Sequence, residues 1–443
     1  MAPEPHASTH DRLAAPGPAP GIAPGPGPTP ERGKLGVEFA SASTLASDPS
    51  EVRPLTGLRL FAAAWVVVFH FQFTPGDWVD RLLGERSPVF AVVTTGALGV
   101  DLFYVLSGFV IAFTYLGKVG PRFSPGVSWR FLWARVCRIW PVYALVTTAF
   151  GAYLLVVKLR LGDPSPAYQN VQPDLSLGSW LHQMTMTQLW FHPWHDGVSW
   201  VGPAWSISAE WLAYVLFPLT ALVFYRMRHW PRPVLGVLAV ALMAPVAVKC
   251  LNTGSPYFAF SWAARILTGF TAGVLVYLIV REIPRTARVR SAASRLTWVT
   301  LGLILAGLYY GESLGAAPDG SSEQGGIVLL LFPVLVGALA LADRGPARLL
   351  ATGWAVHGGR ISYSLYLVHV PLFELWWTVM ERFPAFRANS ALSVVLTPVV
   401  FLASFVLAHL LFRLVEEPAR RTMRRVTSGR RAKSAPGVGA GPA

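Results

Sequence analysis

The sequence predicts an all-α, polytopic membrane protein of about ten transmembrane helices with both termini cytoplasmic. Three observations predict it. Charged residues make up only 14% of the 443 residues while hydrophobic residues make up 53%. Ten apolar segments recur along the chain, and Lys and Arg concentrate in alternate loops. A soluble domain carries about 25% charged residues, so this chain cannot cover a globule with charge, and an ordinary water-soluble enzyme is nearly excluded. The net charge of +14 then reads as cytoplasmic loops and contact with anionic lipids of the plasma membrane, not as nucleic-acid binding. Two cysteines rule out a disulfide framework and a Cys-rich metal site.

Residues 1–50 are rich in Pro, Gly, Ala and Ser and hold no apolar run. They cannot bury enough surface to offset their ordering entropy and are expected to be disordered. They also lack the apolar stretch of a cleaved signal peptide. Residues 51–422 are expected to form one integral-membrane domain. A bilayer core about 30 Å thick needs about 20 mostly apolar residues. Ten segments fit, at roughly 56–74, 92–116, 139–157, 203–225, 234–249, 263–280, 296–310, 327–342, 361–380 and 393–415. The stretch from Trp180 to Trp190 is too short and polar to span and suits a re-entrant or surface helix. Residues 423–443, Arg-rich and then Gly/Ala/Pro-rich, are expected to be a disordered basic tail, either solvated or at an anionic membrane surface.

With the N-terminus cytoplasmic, the inner loops carry sixteen Lys and Arg, Arg135, Arg138, Arg285 and Arg344 among them. The outer loops, longer in total, carry seven, such as Arg81 and Lys158. The positive-inside rule orients the chain accordingly. Cys137 then falls at the inner edge and Cys250 at the outer edge, so they cannot pair.

Ionisable groups inside a span are costly and face a cavity or a partner. They are Arg59, His70, Asp101, Glu210, Arg265, His369, Glu374, His409 and Arg413. Eleven residues, about three turns, separate Arg59 from His70, so both share one helix face, with His70 about 16 Å deeper. Glu210, on a span running the other way, reaches a similar depth, while Asp101 and His369 fall near mid-membrane. His70 suits a general base that takes a proton from a hydroxyl as it attacks a carbonyl carbon. Glu210 or Asp101 could fix its tautomer. The alternative is a buried histidine bonded to a neighbouring helix. His369 has Ser362, Tyr363, Ser364 and Tyr366 nearby as structural partners, and His409 reads as structural.

Arg135 and Arg138 are neighbours on one helix face. Their planar forks suit the phosphates of an anionic cytosolic donor such as a CoA thioester. Taken alone, the pair fits membrane anchoring or lipid headgroups better. Trp194, Trp200 and Trp205 read first as an interfacial belt, and they could also stack on a sugar ring. His182, His192 and His195 with Asp196 fit no standard zinc pattern, so no metal is expected. There is no GxGxxG, P-loop, GxSxG or HExxH motif.

Six blocks are similar to those of the acyltransferase type 3 family of integral-membrane O-acyltransferases. They are Leu58-Arg59-Leu60 through Phe69-His70; Gly99-Val100-Asp101-Leu102-Phe103-Tyr104 through Phe109; Arg135-Val136-Cys137-Arg138-Ile139-Trp140-Pro141; Trp205-Ser206-Ile207-Ser208-Ala209-Glu210; Gly359-Arg360-Ile361-Ser362-Tyr363-Ser364 through His369; and Glu416-Glu417-Pro418. The resemblance covers about Leu55 to Arg421. It implies a cytosolic acyl-CoA as co-substrate, often acetyl-CoA, with no resident cofactor, and a hydroxylated acceptor on a glycan, glycolipid or secondary metabolite. It also implies functional roles for Arg59, His70, Arg135 and Arg138. Asp101 and Glu210 join His70 as candidate catalytic groups, with Ser208, Tyr363 and His369 as supporting ones. One departure follows Glu210: where the family commonly places an aromatic pair, this chain reads Trp211-Leu212-Ala213-Tyr214, so Ala213 leaves room where a Phe is usual. The chain resembles the stand-alone form, without the extracytoplasmic hydrolase-like domain that some members append. Direct attack and a covalent acyl relay both fit these residues. The rivals are a transporter or flippase for a polar lipid or metabolite, and a catalytically idle membrane partner. Intramembrane charge would suit transport too, but no internal repeat stands out.

Overall fold

The structure, a computed structural model, describes residues 51–76, 87–161, 171–315 and 323–432. Residues 1–50 and 433–443, both expected to be disordered, lie outside it. Among the described residues every regular element is helical, and nine segments are long and apolar enough to cross a membrane.

The first span is α1 (Arg53–Phe71). It carries Pro54 in its first turn, where the missing N–H costs nothing. A short helix, α2 (Pro88–Thr94), leads into α3 (Gly99–Ile111), which continues through a π turn at Ala112–Leu116. Next comes α4 (Pro125–Leu161), 37 residues long. It starts well before the expected residue 139 because the polar approach bearing Arg130, Arg135 and Arg138 is helical too. The segment expected on the surface forms α5 (Leu177–Met184), and α6 is Trp205–Met227.

The fifth span is split into α7 (Arg232–Ala241) and α8 (Ala244–Thr253). Pro245 has no N–H for a continuous ladder. Two unbroken spans follow, α9 (Ser261–Val280) and α10 (Ala287–Ser313). The eighth opens as a 3-10 run, Glu323–Leu331, and becomes α11 (Phe332–Leu341). A short α12 (Pro346–Leu350) precedes α13 (Gly353–Arg382). The last span, α14 (Ala391–Leu411), passes through a π turn at Phe412–Glu416 into α15 (Glu417–Ala432).

Two elements differ in detail from the sequence pattern. The predicted ninth span lies within α13, whose 30 residues reach about 45 Å, yet it is too polar to count among the nine. Ser362, Ser364, His369 and Glu374 are all buried, so its polarity faces protein instead of lipid. The tail predicted to be disordered from Met423 is helical as far as Ala432.

Helix pairs α1–α13 and α3–α9 pack most intimately. Apolar side chains gain little by leaving lipid for protein, so close backbone approach has to hold such helices together, and small residues permit it. A side chain at Gly108 would strike the Phe270 carbonyl, and one at Gly273 would strike the Val105 carbonyl. Gly359 meets the Thr56 carbonyl in the same way. Cys137 and Cys250 are buried and unpaired with each other.

Candidate active site

His70 sits in the last turn of α1 and is buried. Its Nδ1 lies 2.8 Å from the Val66 carbonyl oxygen one turn back. From α13, His369 brings Nε2 to 3.2 Å from that same Nδ1, and its own Nδ1 lies 3.1 Å from the Leu365 carbonyl. A carbonyl only accepts, so both Nδ1 atoms carry protons. His70 Nε2 is therefore the basic nitrogen of its ring, and the basic nitrogen of His369 is turned towards His70.

Two spaces meet near this pair. A cavity of about 700 Å³ lies at the end of the bundle opposite the arginine-rich loops, lined by Phe69, His70, Trp194, His195, Trp205 and Glu323 among others. A chamber of about 50 Å³ is lined by Arg59, Ser107, Glu210 and Tyr363 among others. Val100 and Tyr366 line both. Tyr366 is held by Ser206 at 2.7 Å and by the Pro203 carbonyl at 3.0 Å.

Asp101 and Glu210, expected as carboxylate partners of His70, make their contacts with other residues. Asp101 is held in a two-point ion pair by Arg265 of α9, at 2.9 and 2.6 Å, with both side chains buried. Glu210 accepts from Ser107 and from the Tyr214 hydroxyl at 2.5 Å. A backbone carbonyl and a second imidazole contact the His70 ring. Ser208 contacts the backbone. Its hydroxyl donates to the Met186 carbonyl at 2.9 Å and accepts from the Leu189 amide at 3.3 Å, fastening the segment after α5. Tyr363 donates to the Ile139 carbonyl at 2.7 Å and pins α13 to α4. Ala213 is packed in the core and lines neither space.

The arginines lie towards the other end. Arg59 Nε is buried without a hydrogen-bond partner, and its guanidinium stands 5.9 Å from the Phe103 ring centre. Arg135 donates to the Tyr115 hydroxyl at 2.8 Å and lies over that ring, while its Nε has no partner. Arg138 pairs with Glu416, whose other oxygen accepts from Ser364 at 2.8 Å. Glu416 was not among the expected site residues, although its block had been singled out. It is the buried counter-ion of Arg138, and it lies within electrostatic reach of Arg59 as well.

Of the aromatic cluster, Trp194 and Trp205 line the larger cavity, whereas Trp200 donates to the Asp174 carbonyl at 2.9 Å. His195 lies between the rings of Trp205 and Tyr257, with centroids 5.0 and 4.6 Å away. Burial there holds its imidazole below the ordinary value, against the opposing pull of Asp196 at 3.4 Å.

A family profile described as an acyltransferase domain matches residues 54–413. Acyltransferase MdmB of Streptomyces mycarofaciens is 27% identical over 401 residues, covering 84% of this chain and 92% of that protein. Peptidoglycan O-acetyltransferase OatA of Listeria monocytogenes is 24% identical over 84% of this chain, which spans 56% of that relative's length. Exopolysaccharide production protein ExoZ of Rhizobium meliloti is 27% identical over 62% of this chain and 76% of its own. No solved structure matches.

Proposed function

This chain belongs to the acyltransferase type 3 family, as a multi-pass membrane acyltransferase, and on that premise we propose that it moves an acyl group, most simply acetyl, from cytosolic acyl-CoA to a hydroxyl of a glycan, glycolipid or secondary metabolite. The phosphates of the donor rest against Arg135 and Arg138, and its acyl arm enters the chamber beside Arg59 and Glu210. The acceptor hydroxyl comes through the larger cavity. Relatives named for peptidoglycan O-acetylation and exopolysaccharide production support a hydroxylated acceptor of glycan type.

His70 Nε2 removes the proton as the hydroxyl oxygen attacks the thioester carbonyl carbon. The C–S bond then breaks, and the departing thiolate takes the proton back from His70. While the proton resides on His70, the ring is an imidazolium whose Nδ1–H faces the Val66 carbonyl and the lone pair of His369 Nε2. Both acceptors stabilise that charge in a low-dielectric setting, where fixed dipoles act strongly.

One observation carries this mechanism: a buried imidazole belongs to the wall of the large cavity, and the chamber next to it holds Arg59 and Glu210. The test is acyl transfer by the purified chain from radiolabelled acetyl-CoA to an extract of hydroxylated glycans, glycolipids and metabolites. Label is expected on a hydroxyl ester, with free CoA thiol released in equal amount. Label that crosses a vesicle membrane while remaining on CoA would support a transporter instead.

A further inference from the structure

We propose that α15 is part of the donor site and that Arg420 is a third phosphate-binding arginine beside Arg135 and Arg138. This rests on the acyl-CoA reading above.

Two contacts fix how α15 lies. At its start Glu416 pairs with Arg138, and seven residues later the Met423 carbonyl accepts from Trp133 Nε1 at 3.3 Å. The later residue on α4 meets the earlier one on α15, and the reverse, so the two helices run antiparallel and in contact. Arg420 lies between these tie points. It is one helical turn beyond Glu416, on the same face. That face is turned to the stretch of α4 that bears Arg135 and Arg138.

The charges there do not balance among the described residues. Glu416 is taken by Arg138 and Ser364. Glu417, on the neighbouring face, is taken by Arg421. Arg420 is half-buried within electrostatic reach of Arg138 and Arg424; Glu416 and Glu417 also act on it, but each is in direct contact with another arginine, so the cations there outnumber the acids. Bringing like charges together at a partly buried site costs free energy. A ligand carrying several phosphates, as the nucleotide end of CoA does, turns that cost into binding through charge-assisted forks. Lipid phosphate offers the same chemistry, so the test must separate the two sources.

The full-length chain is assayed in neutral detergent with acetyl-CoA and with S-acetyl-pantetheine, which lacks every phosphate. Arg420→Gln is expected to raise the KM for acetyl-CoA by about tenfold, the worth of one charge-assisted contact, and to leave the pantetheine reaction within about twofold. Arg421→Gln, whose partner is Glu417, is expected to change neither. Equal behaviour of the two variants overturns the inference, as does an equal loss with both donors. A loss seen only in phosphatidylglycerol vesicles and absent in neutral detergent assigns the phosphate to lipid and overturns it too. Arg138→Gln decides separately: unchanged acetyl-CoA binding there sinks the donor reading itself, whatever Arg420 does.

Discussion

Asp101 shows how a single residue divides stability from catalysis. It faces Arg265 in a buried two-point pair, so its ionised form is already committed. Removing one partner leaves an uncompensated buried charge, which costs about 3–5 kcal/mol, whereas replacing both by apolar groups is often close to neutral. Asp101→Asn is therefore expected to lower the unfolding temperature in detergent sharply, and Asp101→Leu with Arg265→Met to recover most of the loss. A wild-type unfolding temperature for the single variant would contradict a structural role for the pair. Sequence spacing made both residues visible as intramembrane charges, but 164 positions separate them. Spacing on a helix gives face and depth and says nothing of which distant helix comes alongside. His70 and His369, 299 apart, were legible separately and not as a pair for the same reason. Arg59 and His70 share one helix, so their spacing could be read directly from the sequence.

At the scale of elements, apolar length was the readable signal because the bilayer imposes it. It says less where other forces rule. In α13 the buried polar residues satisfy protein neighbours, so the helix is long without being apolar. In α15 the basic composition resembles that of a solvated tail, yet the Glu416–Arg138 pair and Trp133 hold it against α4. Close packing was also hidden, since glycine looks alike on a lipid face and at a crossing. The two can be told apart experimentally. Gly273→Ala forces the α9 backbone off the Val105 carbonyl and is expected to reduce folded yield and unfolding temperature. Gly302→Ala meets nothing within 4 Å and gains helix propensity of up to about 1 kcal/mol, so it is expected to be neutral or stabilising. Equal losses from the two substitutions would contradict the packing of α3 against α9.

Across the whole molecule, the fold places two chemistries on opposite sides of one imidazole pair. The arginine-rich end gathers Arg135, Arg138 and Glu416, and the other end opens the aromatic-lined cavity. The charge asymmetry of the loops announced this polarity in the sequence, because arginine is hard to move across a bilayer. The cavity itself was not legible, since its walls come from several elements far apart in sequence, α1, α3, α6, α13 and the segment after α5 among them. The central claim is that His70 is the base joining the two ends. The most direct measurement is turnover of purified His70→Ala with radiolabelled acetyl-CoA, alongside acetyl-CoA binding to the same preparation. The expected result is a fall in kcat of about 10²- to 10⁴-fold with donor affinity unchanged, and turnover close to that of the unmodified chain would contradict it.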